Sequence, residues 1–448
     1  MPHLHDTIAA LATPAGTAAI AVVRVSGPDT ARITREIFGR TPPPRTVHRA
    51  SYHRKSGELL DDVLFTFFAG PQSYTGEDSL EVSSHGNPFI VQNLLEDLFA
   101  RGCRPADPGE FTQRAFLRGR MDLSQAEAVM DLIHARSERA LTAANQQLRG
   151  ALGRRMNALT ERLLAVVARV EAYIDFPEED LPPEDSRWLA TEIGELTRET
   201  DRLLATSHFG QMLREGIKTV ILGAPNAGKS SLLNRLVGHD RALVSPEPGT
   251  TRDFIEERIL VGPHCLRLID TAGLNPSPAS LEKLGIEKTL ERAAEADLFL
   301  LVIDITQPPP NWPAELHARI SNGPTIIARN KVDLLAAPAG NLETNAVDIS
   351  ALHGTGIDQL VARISAVADS FQHETGPDAV AVSARHAHAL AQAREALREA
   401  GAQLSSHAPG ELMASHLRDA LSAFGEIVGR IDNERMLDQL FASFCIGK

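Results

Sequence analysis

The chain has 448 residues, with 45 Lys and Arg against 58 Asp and Glu, a formal net charge of −13. Hydrophobic residues make up 43% and charged residues 23%, a balance that buries real cores and excludes wholesale disorder. The 32 Gly and 27 Pro follow no period, which excludes a collagen-like or coiled-coil rod, and the acidic balance argues against indiscriminate coating of nucleic acid.

In chain order, residues 1–118 read as mixed α and β. Ala19 to Val25 and Val63 to Phe68 are apolar enough for buried strands, separated by the turn-rich pieces Ser26-Gly27-Pro28, Thr41 to Pro44 and Pro71 to Gly76. After Pro88, the spacing of Ile90, Leu94, Leu95 and Leu98 predicts a helix. From about Leu123 the period turns helical, and Ser124 to Glu127 reads as a capping box. Apolar residues from Leu148 through Met156, Leu163 and Val170 to Ile174 predict one long amphipathic helix that stops near Phe176-Pro177. An acidic turn, Glu178 to Asp185, leads into a second helix.

At Lys218 short apolar runs begin to alternate with helices. Thr219–Leu222, Leu266–Ile269, Leu298–Ile303, Thr325–Ala328 and Ala346–Ile349 are expected as parallel strands of a wound α/β domain. After Pro377 the helical period returns, with Leu417, Leu421, Phe424, Val428 and Ile431 on one stripe. One helical domain carrying an inserted α/β domain, or separate helical bundles, would each satisfy this order; the first is the more economical.

Gly223 to Ser230 (GAPNAGKS) fits G-x-x-x-x-G-K-[ST] between an apolar strand and a helix. In that setting backbone N–H groups close on phosphates, Lys229 reaches the β and γ phosphates, and Ser230 ligates Mg2+. Asn226, Ala227, Gly228 and Ser231 complete the loop. Gly249 to Asp253 reads as a switch loop in which Thr251 offers a second hydroxyl to Mg2+. Asp270, Thr271, Ala272 and Gly273 follow a strand, as does the Asn330, Lys331, Asp333 motif, whose carboxylate suits the two N–H donors on one edge of guanine. These motifs resemble the translation-factor-like GTPases, which implies GTP as ligand and a backbone contact to the base from Ser350, Ala351 and Leu352.

The position after the DTAG motif, where Ras-type enzymes place a water-orienting glutamine, is Leu274. No arginine finger is evident either, and one is worth about 10³–10⁵ in rate. Asn226 is either an ordinary turn residue or a ligand, through its amide oxygen, of a monovalent cation whose shell Ser245, Glu247 and Thr250 could complete. Glu282 is either a solvated helix-face charge or the group that orients water. Cys445 is either a small buried hydrophobe or a nucleophile whose thiolate adds to carbon 6 of a pyrimidine. The pairs His3/His5 and His386/His388 lack a Cys or carboxylate cluster in metal spacing.

Stretches outside the phosphate loop carry a narrower resemblance. Asp6-Thr7-Ile8, Val23 to Pro28, Ser73 to Asp78, His85-Gly86, Pro108 to Phe116 and the closing Phe444-Cys445-Ile446-Gly447-Lys448 make the chain similar, over its full length, to the MnmE (TrmE) family of tRNA-modification GTPases. The resemblance implies a multidomain α/β fold: an α+β folate-binding and dimerisation domain (1–118), a discontinuous α-helical domain (119–214 and 375–448, with the CIGK tail), and an inserted Ras-like P-loop GTPase domain (215–374). It implies K+ at Asn226, Ser245, Glu247 and Thr250, with Glu282 orienting water and Cys445 required for modification. It further implies a folate, 5,10-methylenetetrahydrofolate or 5-formyltetrahydrofolate, at Arg24, Glu81, Arg120 and Lys448. The implied partners are a second copy in a homodimer, the FAD-containing MnmG in a heterotetrameric complex, and tRNA modified at carbon 5 of the wobble uridine.

Two other functions share the nucleotide motifs: a GTPase that checks ribosomal RNA during ribosome assembly, and a dimerisation switch without chemistry of its own. Three widely spaced cysteines without CxxC point to a reducing, cytoplasmic setting. The longest apolar stretch, Leu298 to Ile305, is broken by Asp304 and falls far short of the roughly 20 residues a membrane span needs. The first residues, with Asp6 among them, do not read as an export signal.

Overall fold

The structure, a computed structural model, describes residues 5–175, 183–239, 256–269, 291, 293–308, 310, 312–335, 345–373, 380–406, 409–429, 440–441, 444 and 447. The chain forms two compact units, one of residues 1–130 with 425–448 and one of residues 131–424.

The first unit is built on a six-stranded sheet of β1 (Ile8–Leu11), β2 (Ile20–Ser26), β3 (Val47–His53), β4 (Leu59–Phe68), β5 (Ser79–His85) and β6 (Arg104–Pro105), in the order β3-β4-β5-β2-β1-β6. Only the β1–β6 pair is parallel. Helices α1 (Thr30–Phe38) and α2 (Pro88–Ala100) bury one face of the sheet in a core containing Val23, Val25, Ile33, Tyr52, Phe65, Leu80, Val82, Leu94 and Leu98. The apolar runs of β2 and β4 were legible. The neighbouring β3 and β5 were not, because VHRASYH and SLEVSSH offer apolar side chains to one face only.

Helices α3 (Glu110–Leu117) and α4 (Leu123–His134) follow. The cap of α4 differs from the expected Ser124–Glu127 box. Gln125 N donates to Asp122 Oδ1 at 2.9 Å, and Asp122 N donates back to Gln125 Oε1 at 3.0 Å. Asp122 thus takes the cap, since it stands just before the first turn while Ser124 is already inside the helix.

A buried ionic network explains the motifs around Glu77 and Glu110. Arg114, fully buried, reaches Asp6 Oδ1 at 2.6 Å, Glu110 Oε1 at 2.8 Å and Glu77 Oε2 at 3.2 Å. Arg104 adds contacts to Asp6 at 2.8 Å and Glu110 at 2.6 Å, and Arg118 one to Glu77 at 2.6 Å. Burial pushes the Asp6 and Glu110 carboxyls up, but the two guanidiniums outweigh it and hold both below the usual range. Removing Arg114 would strand buried carboxylates, a loss of about 3–5 kcal/mol.

The second unit holds the helical segments α5 (Glu138–Leu148), α6 (Ala151–Asp175), α7 (Pro183–Ala205) and α8 (Ser207–Glu215), and after the α/β segment α12 (Ala384–Ser405) and α13 (Gly410–Val428). The expected single long helix begins at Ala151 rather than Leu148, because Gly150 adopts φ 79° and breaks the ladder between α5 and α6. Helices from the two sides of the α/β segment pack together. Arg398 of α12 reaches Asp201 of α7 at 3.4 Å and Arg418 of α13 reaches Glu171 of α6 at 2.9 Å, while Arg162 of α6 bridges Glu192 and Glu195 of α7 on the same side.

The α/β segment forms a second six-stranded sheet: β7 (Ile217–Leu222), β8 (Glu256–Val261), β9 (His264–Ile269), β10 (Leu298–Asp304), β11 (Thr325–Asn330) and β12 (Ala346–Ile349), in the order β12-β11-β10-β7-β9-β8. The five expected strands are present and parallel. The unread sixth, β8, pairs antiparallel with β9 at the edge. Helices α9 (Lys229–His239), α10 (Ala314–Asn322) and α11 (Ile357–His373) complete the described part of this layer. The core on one face includes Ile221, Leu232, Leu268, Leu300, Val302, Ile326, Leu360 and Ile364.

One polar cluster joins α5, the β8–β9 turn and α11. His264, 5% exposed, lies 2.9 Å through Nε2 from Asp369 Oδ1, and Arg139 Nη2 donates to the same oxygen at 2.9 Å.

Candidate functional site

In a parallel sheet the loops at the carboxyl ends of the strands gather on one edge, beside the point where strand order reverses. Here β7 has β10 on one side and β9 on the other, so the loop after β7 opens at that point. This is the loop Gly223–Gly228, which leads straight into α9. Asn226 takes φ 62° and Gly228 φ 99°, turning the backbone in the left-handed region. Gly228 is also required sterically: a Cβ there would stand 2.1 Å from Asn330 Nδ2. Ala227 is buried, whereas Asn226, Ser230 and Ser231 are exposed at the loop rim and the first turn of the helix. Lys229 Nζ donates to the carbonyls of Gly223 at 2.9 Å and Ala224 at 3.0 Å, which holds its ammonium over the loop.

The ends of β10, β11 and β12 bring in the second half of the site. Asn330, 2% exposed, donates from Nδ2 to Ala227 O at 2.8 Å and accepts at Oδ1 from Ala351 N at 2.9 Å. Its amide therefore ties the phosphate loop to the turn after β12. Lys331, at φ 71°, sets its ammonium 2.6 Å from Asp304 Oδ2. Burial raises the Asp304 carboxyl, but Lys331 and the Thr306 donors overcome it and keep Asp304 ionised. Asp333 lies on the 3-10 turn Val332–Leu334, and a hydrogen bond from the Ser350 hydroxyl holds its carboxyl below the usual range. Ser350 is fully buried, while Leu352 is 71% exposed.

The sequence singled out Asn330, Lys331, Asp333, Ser350, Ala351 and Leu352, and the structure brings them together with Asn226 to Ser231. Three contacts escaped it: the Asp304–Lys331 pair, the bridging role of Asn330, and the Arg235 contact described below. Asp304 carried a signal, as the one carboxylate inside the apolar run Leu298–Ile305. Ser245, Glu247, Thr250, Thr251, Asp270, Thr271, Ala272, Gly273 and Glu282 lie outside the described residues, as do Cys445 and Lys448.

In the first unit, Arg24 and Glu81 stand opposite each other in the β2–β5 register, and Arg24 donates from Nε and Nη2 to Glu81 Oε1 at 3.0 and 2.8 Å. The guanidinium also donates to Gly447 O at 3.4 Å and lies over the rings of Tyr74 and Phe111, 5.5 and 5.7 Å from their centroids. Arg120 is exposed, with its stem against Gly76 in the loop that carries Tyr74.

The other two cysteines are packing residues. Burial pushes the Cys103 thiol up to about 12 and raises that of Cys265 as well. His386 is buried and serves as a cap, its Nδ1 accepting from Ser383 N at 3.2 Å. Among the described residues no group of three or more His, Cys, Asp or Glu stands ready to hold a metal.

A lone carboxylate beside a glycine-lined phosphate loop selects the purine that offers two adjacent N–H donors, so sheet and site together define a P-loop GTPase. Two family profiles cover most of the chain: the MnmE helical domain over residues 123–445 and the GTP-binding protein TrmE N-terminus over residues 7–120. The chain is 59% identical to the tRNA modification GTPase MnmE of Opitutus terrae, with 100% of each chain covered. It is 44% identical to that of Akkermansia muciniphila, again over 100% of both, and 42% identical to that of Symbiobacterium thermophilum, over 99% of this chain and 100% of the relative. The chain belongs to the MnmE (TrmE) family.

Proposed function

We propose that this GTPase is a cytoplasmic tRNA-modification enzyme. As a homodimer, joined by the FAD-containing MnmG in a heterotetrameric complex, it adds an aminomethyl-type group (carboxymethylaminomethyl) to carbon 5 of the wobble uridine of certain tRNAs. GTP hydrolysis drives pairing of the GTPase domains and conformational cycling rather than supplying the group. The observation that carries this reading is similarity from end to end, including the tail, to relatives named as tRNA modification GTPases. Among the described residues no helix is long and apolar enough to cross a membrane.

The residues present suit the groups this function needs. Mg2+ favours hard oxygen donors, and Ser230 supplies one at the first turn of α9, with Thr251 as the second. For K+, the exposed Asn226 amide would join Ser245, Glu247 and Thr250. That cation would supply the positive charge an arginine finger gives elsewhere, with Glu282 orienting water. For a folate, Glu81 offers a carboxylate to the amino edge of the pterin, and Arg120 and Lys448 offer cations to its glutamate tail. Arg24, already paired with Glu81, holds that carboxylate in place. A bound folate would supply the one-carbon unit, and Cys445 is the nucleophile toward uridine carbon 6.

Nucleoside analysis of tRNA from a strain lacking the gene tests the proposal. The expected result is loss of the modified wobble uridine, restored by the wild-type chain. Unchanged tRNA nucleosides together with defective ribosomal subunits would instead favour a role in ribosome assembly.

A further inference from the structure

Arg235 sits on α9, the helix that opens with the phosphate-loop lysine, and belongs to no nucleotide motif. Its guanidinium crosses to the turn after β12, where Nη2 donates to Leu352 O at 2.5 Å and Nε to Ala351 O at 3.4 Å. A Cβ built on Gly354 would meet the guanidinium carbon at 3.6 Å. Gly354 has φ +84°, and its N–H closes the turn onto Ser350 O at 2.7 Å. The Ala351 peptide is thus gripped from both ends, its N–H by Asn330 and its carbonyl by Arg235. Ser350, one residue earlier, hydrogen-bonds the Asp333 carboxylate. A continuous set of contacts therefore runs from the phosphate-binding helix to the carboxylate that meets the base.

We propose that Arg235 is a positioning residue for guanine recognition. It clamps the Ser350–Gly354 turn to α9, and through Ser350 it aims the Asp333 carboxylate. The physical need for a clamp is plain, because Leu352 is 71% exposed and the tip of the turn has little apolar burial of its own to hold it. A forked guanidinium spans two carbonyls at once, whereas a lysine ammonium is a point charge that reaches one well. The proposal rests on GTP being the ligand and deepens it: discrimination among purines depends on a residue that touches no part of the nucleotide.

The test is equilibrium titration of the full-length chain with fluorescently labelled GDP and with IDP, which lacks the 2-amino group. In Arg235→Ala, GDP affinity should fall about tenfold, the scale of one charge-assisted hydrogen bond. IDP, which gives Asp333 one donor fewer, should lose less, so the GDP-to-IDP preference contracts. Arg235→Lys should show the same contraction in smaller measure, and it serves as the readout should the alanine variant fold poorly. In a Ser350→Ala background, where the connection to Asp333 is cut, Arg235→Ala should no longer change the preference. Equal losses for both nucleotides, no loss at all, or an undiminished effect in the Ser350→Ala background would overturn the proposal. Wild-type protein that binds neither nucleotide would instead overturn the GTP reading on which it rests.

Discussion

At the scale of single residues, the proposed base selection comes down to one carboxylate. Asp333 is acceptor-only when ionised, and the hydrogen bond from Ser350 favours that form. Guanine presents two donors to it, whereas xanthine presents an oxygen where guanine has its amino group. Asp333→Asn should therefore weaken GTP binding by about 100-fold, as two charge-assisted hydrogen bonds become neutral or repulsive. XTP binding should rise to meet it. Competition of the two nucleotides on wild type and variant checks this, and a variant that still prefers GTP would remove Asp333 from base reading. Single residues also make contacts that a motif does not show. Asn330, expected to bind nucleotide, also joins two loops of the protein through its amide, at Ala227 O and Ala351 N, and keeps a second N–H and a second lone pair. Nothing in a four-residue motif reveals that, because the partners lie 103 and 21 positions away.

At the scale of elements, the meeting of α5, the β8–β9 turn and α11 has a pH dependence built in. Burial holds the His264 imidazole below its ordinary value, against the pull of the Asp369 carboxylate, while the Arg139 charge works in the same direction as burial. The unfolded chain therefore binds a proton at this histidine more readily than the folded one, so stability rises with pH across this range. Stability should fall as pH drops below about 6.5, where a free imidazole protonates. Asp369, itself held below the usual carboxylate range, stays ionised throughout that window. Thermal unfolding between pH 7.5 and 5.5 should show a falling midpoint in the wild type and a flatter profile in His264→Gln. Parallel profiles would exclude His264 as the source. Elements also show which patterns were readable. The central strands β7 and β10 are buried on nearly every residue and stood out as apolar runs, whereas β8, which opens Glu256-Glu257-Arg258 and pairs antiparallel at one edge, did not.

At the scale of the whole molecule, hydrolysis must proceed without a glutamine after the DTAG motif, where Leu274 stands. The proposed substitute is a potassium ion at the phosphate loop. GTP turnover by the full-length chain should then be at least about tenfold faster in KCl than in NaCl at equal ionic strength, a small part of the roughly 10³–10⁵ that an arginine finger supplies. Turnover should fall to the sodium rate in Asn226→Ala. Equal rates in the two salts would remove the cation from the mechanism.

What the sequence determined by itself were features with a local cause: the phosphate loop, where glycine spacing and a following helix are set within eight residues; the strand runs; and the family, from motifs spread along the chain. The tertiary structure alone decided how those pieces constrain one another. Arg24 facing Glu81, Arg114 at the centre of three carboxylates, Asn330 bridging two loops and Arg235 clamping the base-reading turn all join residues that only strand order and register bring within reach. Such contacts depend on packing geometry summed over the fold, and no short stretch of sequence encodes it.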